Sequence, residues 1–147
     1  GYGSMFRFFE DEIKVKIQEY FGYDLSKPML DAAKKLIPIN RSRFFKSGEI
    51  TTKADFSFAS GTFNVKFDAS DEKWQYHIER CLQNMAQNSK KGFSFNLLST
   101  YVDWKENHLF YGDPTYFFDY CKRNFSKKVF LLHDYPLYEW TIGVDLE

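Results

Sequence analysis

Apolar and polar residues alternate most regularly in two short runs, 54–59 and 63–68, which the pair Ser60-Gly61 separates. Alternation with a period of two is typical of half-buried strands, and a short glycine-containing turn joins antiparallel strands. The pattern therefore predicts a β-hairpin whose aromatic face is buried between helices. The apolar residues expected on that face are Phe56, Phe58, Phe63, Val65 and Phe67.

Apolar residues at steps of three and four predict four amphipathic helices. The first covers residues 5–21, and the second covers about 27–36 with Ser26 as its N-cap. The third covers about 71–88, and Asp113 caps a short fourth helix. Each helix carries one apolar face, which we expect to pack against the strands.

Two further hairpins are predicted, over residues 93–111 and 129–146, because both stretches hold apolar runs joined by turn residues. The resulting order, ααββαββαββ, predicts an α+β fold with a mainly antiparallel sheet of about six strands packed with about four helices. No linker or low-complexity segment divides the sequence, so we expect residues 1–147 to form a single globular domain. Residues 1–4, before Met5, have the composition of an expression scar.

The composition favours a cytoplasmic protein without a membrane partner. The chain is 44% hydrophobic and 27% charged, and its formal net charge is +0. No apolar run approaches the ~20 residues that a membrane-spanning helix needs. Cys81 and Cys121 lie on the apolar sides of predicted helices without paired spacing, as expected of free thiols in a reducing compartment.

One segment of the chain, residues 27–53, is clearly basic, with seven Lys and Arg against two Asp and Glu. Cations interleaved with aromatic rings suit a phosphate backbone with unpaired bases. The alternative is a solvated basic face whose phenylalanines complete the core. The residues expected to contact nucleic acid or another partner are Arg41, Arg43, Phe44, Lys46 and Lys53.

The predicted hairpin at 54–68 also carries a candidate metal site. Asp55 on one strand and Asn64 and Lys66 on the next resemble a degenerate site of the PD-(D/E)xK metal-dependent nucleases. That resemblance implies Mg²⁺ as cofactor and a further carboxylate, which Glu12 or Glu19 could supply, although Asn64 replaces the central acid and adds no charge. The alternative is an ordinary cross-strand ion pair between Asp55 and Lys66.

The sequence lacks several common catalytic signatures, and this favours a binding function. It has no Gly-x-Gly-x-x-Gly or Gly-Lys-Ser phosphate loop and no Gly-x-Ser-x-Gly elbow, and its three histidines lack metal-ligand spacing. With 20% aromatic residues, the chain is predicted to be a non-catalytic protein-binding module of the immunity-protein, antitoxin or phage-inhibitor kind, with a protein partner and no cofactor. The alternative is the nuclease, or a nucleic-acid-binding domain that uses residues 41–53.

Overall fold

The computed structural model describes all 147 residues and divides the chain into two compact units. Unit 1 comprises Gly1–Thr52 and unit 2 comprises Lys53–Glu147. Each unit has its own sheet, so the two are described separately. The prediction of one globular domain stays a prediction.

Unit 1 is built around two parallel strands joined by a helix. Its elements are α1 (Ser4–Arg7), a π-helical turn (Phe8–Glu12), β1 (Tyr20–Tyr23), α2 (Lys27–Leu36), a 3-10 turn (Ile39–Arg41) and β2 (Ser42–Phe45). Because α2 carries the chain back before β2 begins, the two strands run in the same direction. Leu30 and Ala33 on α2 are buried. At Gly22, a Cβ atom would lie 2.7 Å from the Phe44 ring, so a larger residue there would require that ring to move.

Unit 2 contains a five-stranded mixed sheet with helices between its strands. Its elements are β3 (Ala54–Ala59), α3 (Asp71–Asn88), β4 (Ser89–Ser99), β5 (Tyr111–Gly112), α4 (Pro114–Asn124), β6 (Lys128–Leu132) and β7 (Glu139–Asp145). The strand order is β3-β4-β7-β6, and β5 also pairs with β4. Strands β3 and β5 run parallel to β4, whereas β7 runs antiparallel to both β4 and β6.

The core of unit 2 is aromatic. Trp140, Phe95 and Phe117 are almost fully buried, and their ring centroids lie 5.6 to 6.1 Å apart in edge-on and tilted arrangements. The Trp140 Nε1–H donates to the carbonyl oxygen of Gly112 at 2.9 Å, which satisfies the indole inside the core. Strand β7, strand β4 and helix α4 are therefore held together by one ring cluster.

The predicted fold class is wrong, because the sheet is mixed and not mainly antiparallel. The predicted hairpin over 54–68 is also wrong, since residues 60–67 form turns and a single isolated bridge. Phe56 and Phe58 are 54% and 47% exposed, although Phe63 is buried as predicted. The chain leaves β3 for α3 and returns in β4, so β3 pairs with β4 in parallel.

The helix predicted over 5–21 is wrong after its first turns. The helical part ends at Glu12, Lys14 has a left-handed φ of 61°, and Tyr20–Tyr23 forms β1. The hairpin predicted over 93–111 is wrong as well, because β5 pairs with β4 in parallel.

Three helices and the last hairpin confirm the sequence pattern. Helix α2 begins after Ser26, helix α3 covers Asp71–Asn88, and Asp113 caps α4 by accepting from the backbone N–H groups of Thr115 and Tyr116. Strands β6 and β7 are antiparallel neighbours. None of the helices is both long and apolar enough to cross a membrane.

The close approach of β4 and β7 gives a test of the sheet. A Cβ atom on Gly92 would lie 2.6 Å from the carbonyl oxygen of Val144, which is backbone and cannot rotate away. We expect Gly92→Ala to lower the free energy of unfolding in urea by about 1–3 kcal/mol. The control is Gly48→Ala, whose Cβ would make only ordinary contacts. Equal stability of the two variants would contradict the β4–β7 register.

Candidate functional site

In open α/β sheets, ligands bind outside the carboxyl ends of the parallel strands. In unit 1, that edge carries Asp24, which directly follows β1. In unit 2, it carries the loop after β3, residues 60–64, and the segment after β4, which begins at Thr100. These three places are where functional side chains are expected.

Asp24 lies between the end of β1 and the start of α2. One of its carboxylate oxygens accepts a hydrogen bond of 2.7 Å from the backbone N–H of Ser26, and the other forms an ion pair with the amino group of Gly1. Burial raises the pKa of Asp24. Hydrogen bonds from the Gly1 amino group and the Ser26 N–H lower the pKa by more than burial raises it, so the net shift is downward. The side chain is therefore an ionised acceptor at neutral pH.

In unit 2, one carboxylate holds two asparagines at the carboxyl edge. The Asn64 Nδ2 donates to Glu139 Oε1 at 2.9 Å, and the Asn96 Nδ2 donates to Glu139 Oε2 at 2.8 Å. Glu139 begins β7 opposite Leu98 of β4, so it reaches the edge from a neighbouring strand. We call Asn64, Asn96 and Glu139 the carboxylate–amide network.

The network fixes the loop after β3. The Asn96 Oδ1 accepts from the backbone N–H of Gly61 at 2.7 Å, and the Asn64 Oδ1 accepts from the backbone N–H of Leu98 at 3.2 Å. No buried side-chain nitrogen or oxygen in the chain lacks a hydrogen-bond partner. A closed network of this kind restricts the loop to one conformation.

Within unit 2, the structure does not assemble Asp55, Asn64 and Lys66 of the proposed nuclease site into one cluster. Asp55 is exposed on β3, whereas the Lys66 Nζ lies 3.3 Å from Asp71 and donates to the carbonyl oxygen of Ala69, so the predicted Asp55–Lys66 ion pair is wrong. Asn64 belongs to the carboxylate–amide network, and Glu12 lies in unit 1. No group of three or more His, Cys, Asp or Glu side chains could hold a metal ion.

Arg41 of the basic segment is used inside unit 1. Its guanidinium donates to both Glu10 oxygens and to the carbonyl oxygen of Ile17 at 2.9 Å, and it lies 5.3 Å from the Phe6 ring centroid. The Arg41 hydrogen bonds lower the pKa of Glu10, and the same pair raises the pKa of Arg41. Arg41 therefore has a structural partner, which the sequence did not reveal.

The remaining residues of that prediction are more accessible. Arg43 lies 3.6 Å from Glu19 and near the Phe21 ring, and both side chains of that ion pair are largely exposed. Phe44 is half-buried against Gly22. Lys46 in unit 1 and Lys53 in unit 2 are exposed. Their contact with a partner stays a prediction.

Sequence reasoning missed Asp24, Asn96 and Glu139. For Asp24 a signal existed, because an acid followed two residues later by the serine cap of α2 marks a strand-to-helix junction. The signal was not used, because the helix predicted over 5–21 included the start of β1. Asn96 and Glu139 lie 43 residues apart, so only strand pairing brings them together.

Sequence comparison gives a relative that matches almost the whole chain. No family model matches the chain. The chain is 40% identical over 147 residues to "Putative methyltransferase Rv1506c" of Mycobacterium tuberculosis (strain ATCC 25618 / H37Rv). The match covers 98% of this chain and 87% of that protein.

Solved structures share the fold at low sequence identity. One is the magnesium protoporphyrin IX methyltransferase (ChlM) from Synechocystis PCC 6803 with bound SAH, with a TM-score of 0.63 and 11% identity over 86% of this chain. Another is the Pnkp1/Rnl/Hen1 RNA repair complex, with a TM-score of 0.66 and 15% identity over 99% of this chain. A third is the LepI complex with SAM, with a TM-score of 0.58 and 12% identity over 100% of this chain. The chain spans 63%, 36% and 41% of these three structures, respectively.

These comparisons correct the predicted function. The non-catalytic module of the immunity-protein, antitoxin or inhibitor kind, the nuclease alternative and the preference for a non-enzyme are all wrong, because the 40% identical relative is named as a methyltransferase. The fold agrees, since structures that contain a methyltransferase or bound SAM align with a mixed α/β sheet and not with an α+β arrangement. Composition and missing motifs were poor guides to the fold and function, because neither shows which strands are neighbours in the sheet.

The carboxylate–amide network gives a test of how the edge of unit 2 is fixed. We expect Glu139→Ala to lower the free energy of unfolding in urea by about 1–3 kcal/mol, because two amide groups lose their acceptor. The control is Asp119→Ala, which removes an exposed helical ion pair with Arg123 and should cost less than about 1 kcal/mol. A Glu139 variant no less stable than the control would show that the network is incidental.

Proposed function

The chain belongs to the same family as the Mycobacterium tuberculosis protein Rv1506c, and we propose that it takes part in methyl transfer with S-adenosylmethionine as cofactor and methyl donor. The observation that carries the proposal is the 40% identity over 98% of the chain to a protein named as a methyltransferase. The structures with bound SAH and SAM that share the fold support the choice of cofactor. This cofactor replaces the earlier expectations of no cofactor or of Mg²⁺.

Unit 1 has a hydrogen-bond acceptor that fits the ribose of this cofactor. S-adenosylmethionine contains a ribose with two adjacent hydroxyl groups, and a carboxylate at the carboxyl end of a strand is a suitable acceptor for such hydroxyls. Asp24 occupies that position, and its carboxylate has lone pairs beyond those that accept from the Ser26 N–H and the Gly1 amino group. We therefore assign Asp24 as the residue of unit 1 that would hold the ribose.

The missing phosphate loop does not conflict with this cofactor. Glycine-rich phosphate loops bind pyrophosphate or triphosphate groups through backbone N–H groups. S-adenosylmethionine has no phosphate, and when bound it supplies a methyl group on a positively charged sulfur. Its recognition therefore depends on acceptors for hydroxyl and ammonium groups, which carboxylates provide.

Within unit 2, we assign a positioning role to the carboxylate–amide network. Glu139 holds Asn64 and Asn96, and these hold the backbone of residues 61 and 98 at the carboxyl edge. A methyl acceptor must be presented in a fixed orientation, and a rigid loop gives that orientation at low entropic cost. The network is therefore proposed to act through the loop and not on the reacting atoms.

The proposal is tested by titrating the protein with S-adenosylhomocysteine in a calorimeter. We expect the wild-type chain to bind and Asp24→Ala to bind about 10- to 100-fold more weakly, since hydrogen bonds to a charged group contribute about 1.5–3 kcal/mol. The control is Asp31→Ala, which removes an acid of α2 that pairs only with Lys27 on the helix surface. Circular dichroism checks that all variants are folded. Absence of wild-type binding, or equal binding by Asp24→Ala, would overturn the proposal.

A further inference from the structure

An unusual group of exposed rings lies at the carboxyl edge of unit 2. Tyr101 and Trp104, which follow β4, are 68% and 66% exposed, and Tyr138, which precedes β7, is 53% exposed. His133, directly after β6, is exposed as well. We call these four residues the aromatic edge. Large exposed apolar groups that cluster in this way mark binding sites more often than isolated ones do.

Two of the strand-end segments that carry the aromatic edge are tied together by hydrogen bonds. The backbone N–H of Ser99 donates to the carbonyl oxygen of Tyr138 at 2.8 Å, which joins the end of β4 to the segment before β7. The backbone N–H of Tyr101 then donates to the Ser99 hydroxyl at 3.1 Å. Tyr101 and Tyr138 therefore project from backbone segments that are hydrogen-bonded to each other.

The rings also form two tilted pairs. The centroids of Trp104 and Tyr138 are 6.2 Å apart with planes at 61°, and those of Tyr101 and His133 are 5.9 Å apart with planes at 48°. The Tyr138 hydroxyl donates to Asp103 Oδ2 at 3.1 Å, and this bond to a carboxylate raises the pKa of Tyr138. Tilted rings leave parts of their faces open, so a ligand can contact the π-face of each pair.

The charge around the rings is negative. The segments 100–108 and 133–138 contain three acids, Asp103, Glu106 and Asp134, against one cation, Lys105. None of these acids takes part in an ion pair of the chain. The Lys105 ammonium lies 5.6 Å from the Tyr111 ring centroid, so a neighbouring ring already contacts a cation. The surface thus combines open π-faces with carboxylates that have no cationic partner.

We propose that the aromatic edge, with Asp103, binds the ammonium group of a small organic cation. The negative faces of Trp and Tyr attract cations, most strongly for quaternary ammonium groups in aromatic surroundings. The acids add attraction for a cation and repel phosphates, so the same surface disfavours a nucleic acid.

The charge requirement is tested with choline and its neutral carbon isostere, 3,3-dimethyl-1-butanol. Binding is followed by saturation-transfer NMR and by the change in tryptophan fluorescence. We expect choline to bind in the millimolar range and the isostere to bind about tenfold more weakly, because the two molecules share shape and differ in charge. Equal binding of the two molecules, or no binding of choline at millimolar concentration, would overturn the proposal.

Variants locate the site. Trp104→Ala and Asp103→Asn should each weaken choline binding, by about tenfold and about threefold respectively, since one loses a ring face and the other a carboxylate. The control is Tyr76→Ala, which removes a similarly exposed ring from α3 and should leave binding unchanged. Retention of full choline binding by Trp104→Ala would place the cation elsewhere and refute the assignment.

S-adenosylhomocysteine binding by the same samples separates the two proposals. If the wild-type chain binds S-adenosylhomocysteine but does not bind choline more tightly than its neutral isostere, only the inference about the aromatic edge is overturned. Selective choline binding without S-adenosylhomocysteine binding would overturn the proposed function alone and would support the cation site. Both measurements use the full chain.

Discussion

The connection through α3 is the constraint on which unit 2 depends. An 18-residue helix connects β3 to β4. Because this helix carries the chain back to the end of the sheet where β3 began, β4 runs parallel to β3. Their carboxyl ends then meet at one edge. The loop after β3, the segment after β4 and the start of β7 come together there for that reason.

Strand β4 lies at the centre of the sheet and contributes to the core of unit 2. It pairs with β3 and β5 in parallel and with β7 in the opposite direction, and its residues Phe95 and Leu97 are almost completely buried. Trp140 on β7 fills the same core and bonds to Gly112 of β5 through its indole N–H. Because the interior is close-packed with rings, the strands that carry the carboxyl edge of unit 2 are held rigidly.

The edge of unit 2 carries two kinds of chemistry with different purposes. Glu139 and the two asparagines consume their hydrogen bonds on one another and on the backbone, so they hold the loop and have little left to offer a ligand. Tyr101 and Trp104, in contrast, leave most of their surface open. Support and recognition are therefore performed by separate side chains, and changes to the exposed rings should leave the supporting network intact.

The sequence by itself determined some of the local elements, namely the helices α2, α3 and α4 and the hairpin of β6 and β7. Helices α3 and α4 followed from apolar spacing and from caps within a few residues, and the inward face of β7, with Trp140, Ile142 and Val144, followed from alternation. Apart from the β6–β7 hairpin, only the tertiary structure decided strand direction and neighbours, because period-two alternation is the same in parallel and antiparallel pairs. It therefore also decided that Asn96 meets Glu139, that Lys66 meets Asp71, and that Asp24 lies at the end of a strand.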